Sequence, residues 1–125
     1  MATIKEDYVS FETAKLMKEK GFDRYTLFPC YKEDNGEFID IPTTLDTINY
    51  CFIPAPTLQM AMKWLLKKYN IFICVLFFEE SGGYGYTIED IIKKKYIATS
   101  KNSSYKEPEK ASETAIKHCL EHLIK

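Results

Sequence analysis

Leu58-Gln59-Met60-Ala61-Met62-Lys63-Trp64-Leu65-Leu66-Lys67-Lys68-Tyr69-Asn70-Ile71-Phe72-Ile73-Cys74-Val75-Leu76-Phe77-Phe78 is the stretch on which the fold turns. Its first half repeats with a helical period. Leu58, Ala61, Met62, Leu65 and Tyr69 share one stripe, Met60 and Trp64 widen it to a second face, and Lys63, Lys67 and Lys68 leave a narrow wetted strip. An apolar arc that wide has to be covered from two sides, which makes this the central helix. Pro56 suits its first helical position, where a missing N–H forfeits nothing, and Asn70 suits a left-handed residue that ends it. The second half abandons that period: the apolar run from Ile71 to Phe78 reads as a buried central strand.

Downstream, Ser81-Gly82-Gly83 turns the chain, and Tyr84, Tyr86 and Ile88 alternate with Gly85, Thr87 and Glu89 as a returning strand. Thr87-Ile88-Glu89-Asp90 reads two ways, as that strand or as the cap of a short helix through Lys95. The extended character of Tyr96-Ile97-Ala98-Thr99 favours a further strand. After a polar connector at Lys101-Asn102-Ser103-Ser104, Pro108 opens a last helix. Its apolar residues are Ala111, Ala115, Ile116, Cys119, Leu120 and Leu123.

Upstream, Ser10 is an N-cap candidate for a helix from Phe11 to Lys20, and Gly21-Phe22 has the pattern of a Schellman ending. From Thr26 to Ile41 two apolar runs flank Asn35-Gly36, which predicts a hairpin closed by a type I′ turn. Residues 42–54 read as a loop carrying a short strand at Tyr50 to Ile53. The order of elements predicts one α+β domain over residues 1–125: an antiparallel sheet of about four to five strands with three helices packed mainly on one face.

With 17 Lys+Arg against 18 Asp+Glu, a formal net charge of -1 and 46% hydrophobic residues, the chain is neither a disordered polypeptide nor a uniformly basic nucleic-acid binder. Met1-Ala2-Thr3-Ile4-Lys5-Glu6-Asp7 lacks the pattern of a signal peptide, and the longest apolar run falls short of the roughly 20 residues a membrane helix needs. A cytoplasmic location without membrane contact is the expectation. Cys30, Cys51, Cys74 and Cys119 form no CxxC pair and read as buried thiols rather than disulfides or ligands.

His118-Cys119-Leu120-Glu121-His122 matches the H-x-x-E-H pattern of inverted zinc peptidases, in which two histidines on one helix face hold a zinc and the glutamate activates water. A third protein ligand is needed downstream, and only three residues follow His122. The pattern therefore reads as a solvated helix face, with His118 and His122 as an adventitious metal pair and no cofactor expected. Ser81 to Tyr86 has the flexibility of a phosphate loop without its spacing. Cys119 beside His118 points to a different helix face, so no nucleophile–base pair is expected. Without a catalytic constellation, the chain reads as a non-enzyme.

Two further features concern partners. Nine Tyr, eight Phe and one Trp exceed what one core must bury, so some aromatics are expected on the surface as anchors for self-association or for a protein partner. From Ile91 to Lys106 the chain carries lysines and no acid: Lys93, Lys94, Lys95, Lys101 and Lys106, interleaved with Tyr96 and Tyr105. Such a run can track a phosphate backbone and stack bases, which makes single-stranded nucleic acid the alternative partner. The competing reading is that these lysines protect an edge strand from aggregation.

Tyr8-Val9-Ser10-Phe11-Glu12-Thr13-Ala14-Lys15-Leu16 with Gly21-Phe22, Ala55-Pro56-Thr57-Leu58-Gln59-Met60-Ala61-Met62-Lys63-Trp64-Leu65, and Ala115-Ile116-Lys117-His118-Cys119-Leu120-Glu121-His122-Leu123-Ile124 together resemble small uncharacterised proteins of gut Bacteroidales and of their phages and prophages. The resemblance covers the three predicted helices. It implies an accessory protein of a bacterium or phage and transfers no catalytic residue.

Overall fold

Helix α1, Phe11–Glu19, begins where the Ser10 hydroxyl accepts from the Thr13 N–H at 3.3 Å. It ends in the expected Schellman pattern: Gly21, at φ +101°, donates to the Lys18 carbonyl and Phe22 donates to the Met17 carbonyl. The structure, a computed structural model, describes residues 7–22, 29–39, 52–100 and 105–124.

Strands β1 (Cys30–Lys32) and β2 (Phe38–Ile39) form the hairpin, with Cys30 opposite Ile39. Its turn is not type I′. The loop runs over residues 33–36, closed by the Gly36 N–H on the Lys32 carbonyl at 2.7 Å, and within it only Gly36 has a positive φ, +72°. A type I′ turn needs Asn35 left-handed as well. Asn35 instead turns its Oδ1 to accept from the Glu37 N–H at 2.9 Å, the local contact that makes Asn a turn residue in another geometry. On the other side of β1 lies β3 (Phe52–Pro54), close to the short strand expected at Tyr50 to Ile53. Tyr50 and Cys51 lie outside the described residues, as do Thr26 to Phe28.

Helix α2, Leu58–Tyr69, is capped by Thr57, whose hydroxyl accepts from the Met60 N–H at 3.1 Å. Pro56 therefore precedes the cap rather than occupying the first helical position, since a threonine can satisfy an orphan N–H and a proline cannot. Pro56 instead offers its carbonyl to the Val9 N–H at 3.0 Å. Asn70, at φ 59°, ends the helix in the left-handed region as its side chain permits.

The chain then forms β4 (Ile71–Phe78), β5 (Gly83–Asp90) and β6 (Lys95–Thr99), an antiparallel sheet in the order β4-β5-β6. Two expectations change here. The described strands build two three-stranded sheets, β2-β1-β3 and β4-β5-β6, rather than one sheet of four to five strands. Strand β4 is also an edge and not a central strand, because β1 takes β3 as its second neighbour and leaves β4 paired only with β5 among the described residues. Between β5 and β6 the Asp90 Oδ1 accepts from the Ile92 and Lys93 N–H groups, both at 3.0 Å. This cap-like bonding opens a turn, with Lys94 at φ 55°, and the strand reading of Tyr96 to Thr99 holds.

Helix α3, Pro108–His118, has Pro108 in its first turn and continues into a π-helical turn, Cys119–Leu123. Buried residues from both sheets and all three helices meet in one cluster that includes Met17, Ile53, Leu65, Ile73, Ile88, Ile116 and Leu120. Helices α2 and α3 cover one face of β4 and β5, burying Ile71, Ile73, Tyr86 and Ile88. The architecture is α+β. No helix among the described residues is long and apolar enough to cross a membrane.

Candidate interaction surface

The pairing register sorts the second sheet into two faces. Ile71, Ile73 and Val75 share the inner face with Ile88 and Tyr86, while Phe72, Cys74, Leu76 and Phe78 lie on the outer face opposite Glu89, Thr87, Gly85 and Gly83. On that outer face Phe72 is 42% exposed, Leu76 40% and Tyr96, set against Glu89 by β6, 71%. Cys74 and Phe78 between them are half-buried. Phe78 lies across Gly85: a Cβ on Gly85 would stand 2.5 Å from the ring and 2.7 Å from the Ser100 hydroxyl. Glycine is required there because that ring occupies the space of a side chain.

Three hydrogen bonds reveal which way the peptide groups of β4 point. Ile91 N–H donates to the Asn70 carbonyl at 3.1 Å, and Tyr84 exchanges both bonds with Tyr105. In an antiparallel ladder these contacts alternate, so Phe72, Cys74, Leu76 and Phe78 bond to β5, and Ile71, Ile73, Val75 and Phe77 turn their N–H and C=O groups to the other edge, where no strand among the described residues pairs. That edge carries no charge and no proline, and Phe77 on it is 56% exposed.

The basic run does not form one patch. Lys93 and Lys94 lie in the β5–β6 turn, Lys95 and Tyr96 begin β6, and Lys106 follows Tyr105 at the far end of β5. Lys95 pairs with Asp90 and Tyr105 with Tyr84, a separation of about 20 Å along a strand. Lys101 lies outside the described residues. Lys93 and Lys95 line a shallow hollow with Tyr69 and Asp90, while Lys68 lies over the Trp64 and Tyr69 rings.

His118 and His122 do stand together, ring centroids 5.0 Å apart. Among the described residues no group of three or more His, Cys, Asp or Glu side chains is placed to hold a metal ion. Burial first, and the neighbouring His122 second, push the His118 pKa below its ordinary value. Cys119 is fully buried, and desolvation raises its thiol to about 12, which opposes thiolate formation. Cys30 is buried as expected, whereas Cys74 is only half-buried. One polar cluster has no counterpart in the sequence patterns: Glu113 of α3 accepts from the Ser10 N–H at 3.0 Å and from the Thr13 hydroxyl at 2.6 Å, docking a carboxylate on the N-terminus of α1. No family model, no curated protein and no solved structure matches the chain.

Proposed function

We propose that the protein is a non-enzymatic interaction module, an accessory protein of a bacterium or phage, that associates with itself through the second sheet. The observation that carries this reading is the bare outer face of β4-β5-β6, where Phe72, Leu76 and Tyr96 surround half-buried Cys74 and Phe78. Water-exposed apolar groups gathered on one sheet face gain free energy when covered, at about 25 cal/mol per Å². Multi-angle light scattering over a concentration series tests it: the mass should rise above the 14.6 kDa of one chain as concentration increases. A strictly monomeric mass at the highest concentration removes the reading.

Single-stranded nucleic acid is a second reading, favoured by the succession of exposed Lys93, Lys94 and Lys95 followed by exposed Tyr96. It predicts a log–log salt dependence near −0.7 per lysine contact, and loss of binding when Lys93, Lys94 and Lys95 are replaced by Glu. A flat anisotropy titration in low salt contradicts it.

A further inference from the structure

The geometry points to edge-to-edge pairing of β4 with β4 of a second copy of this chain, antiparallel about a two-fold axis at Cys74. This deepens, and rests on, the self-association reading above. Three observations carry it. First, the outward peptide groups of β4 belong to Ile71, Ile73, Val75 and Phe77, and only a register that sets these residues opposite each other can satisfy them between strands. The centred register does so for all of them at once: residue 71 meets 77 of the second copy and residue 73 meets 75. Other registers leave some outward groups unpaired.

Second, the centred register places Phe72 across from Leu76 of the second copy on the outer face, which merges two bare patches into one apolar band. Third, the flanks are complementary in charge. Exposed Lys67 and Lys68 precede β4 and exposed Glu79 and Glu80 follow it, with no charged residue between Ile71 and Phe78. Antiparallel pairing brings the acidic end of one copy to the basic end of the other, whereas parallel pairing would set like charges together. The protections natural edge strands use, a charge or a proline within the strand, are missing from this one. Phe72 and Phe77 together leave on the order of 200 Å² of side chain bare, so the interface is small and the dimer reversible.

The two-fold sets Cys74 opposite its own copy in a pair without backbone hydrogen bonds, where Cα atoms stand about 4.5 Å apart, within disulfide range. Diamide, accepting two electrons and two protons from the two thiols, should therefore yield a covalent dimer that peptide mapping assigns to Cys74–Cys74 and that Cys74→Ser abolishes. Phe77→Pro removes an outward N–H without touching a bond to β5, at an exposed position, and should weaken non-covalent dimerisation at least tenfold with the circular dichroism spectrum unchanged. Glu79→Lys/Glu80→Lys, which leaves the strand intact, should weaken it too and less so in high salt. A dimer that gives no Cys74–Cys74 bond and ignores both variants overturns strand pairing while self-association stands. A monomer at every concentration overturns both.

Discussion

Glu113 does the most at the scale of single residues. Its carboxylate satisfies the Ser10 N–H and the hydroxyl of Thr13, a fully buried side chain, and so ties α3 to the first turn of α1. Glu113→Ala leaves a buried hydroxyl without that acceptor and should cost about 1–3 kcal/mol in urea unfolding; an unchanged midpoint contradicts the assignment. Glu12 and Lys117 join the same two helices at 2.7 Å, but Glu12 is largely and Lys117 partly solvated, so the pair should matter little. His118 gives the fold a pH dependence. Its pKa in the folded chain lies below the ordinary 6.5, so the unfolded chain binds more protons, and the stabilisation is fully present above about pH 6.5 and lost as pH falls towards the folded value. Urea midpoints measured from about pH 7.5 down to about pH 5 should fall, and His118→Gln should flatten that fall. An identical slope in the variant would assign the dependence elsewhere.

At the scale of elements, local chemistry and the pairing of successive strands were legible, and the division into two sheets was not. Ser10, Gly21, Asn70 and Pro108 act where the sequence placed them, because a cap or a left-handed residue is decided within a few neighbours. The turn at Asn35-Gly36 and the cap at Thr57 went differently through equally local competition, each decided by which side-chain oxygen reaches a backbone N–H. Which strand ends at an edge is another matter. The run from Ile71 to Phe78 is apolar on both faces, and periodicity cannot say whether such a strand is central or is an edge left bare. The one local sign was Gly85, a residue without a side chain amid an alternating strand, which reported a ring lying across the sheet. Gly85→Ala places a Cβ against Phe78 and the Ser100 hydroxyl, which itself accepts from the Tyr86 N–H at 2.7 Å. The thermal midpoint should drop by an amount equivalent to about 1–3 kcal/mol, and the double variant Gly85→Ala/Phe78→Ala should recover part of it. No recovery would mean that the Ser100 contact, not the ring, is what glycine avoids.

Considered as a whole, the described residues cover one face of the second sheet with α2 and α3 and leave Phe72, Leu76 and Tyr96 exposed on the other and the β4 edge without a partner strand. The aromatic surplus in the composition foretold exposed rings but not their gathering, since that depends on which strands become neighbours. Amide hydrogen exchange read residue by residue at low and high protein concentration tests the pairing most directly. In dilute solution the N–H groups of Phe72, Cys74, Leu76 and Phe78 should be protected by β5, while those of Ile71, Ile73, Val75 and Phe77 exchange freely at the edge. At high concentration the second set should become protected as the strands pair between copies. If those amides exchange at the same rate at every concentration, β4 does not carry the association.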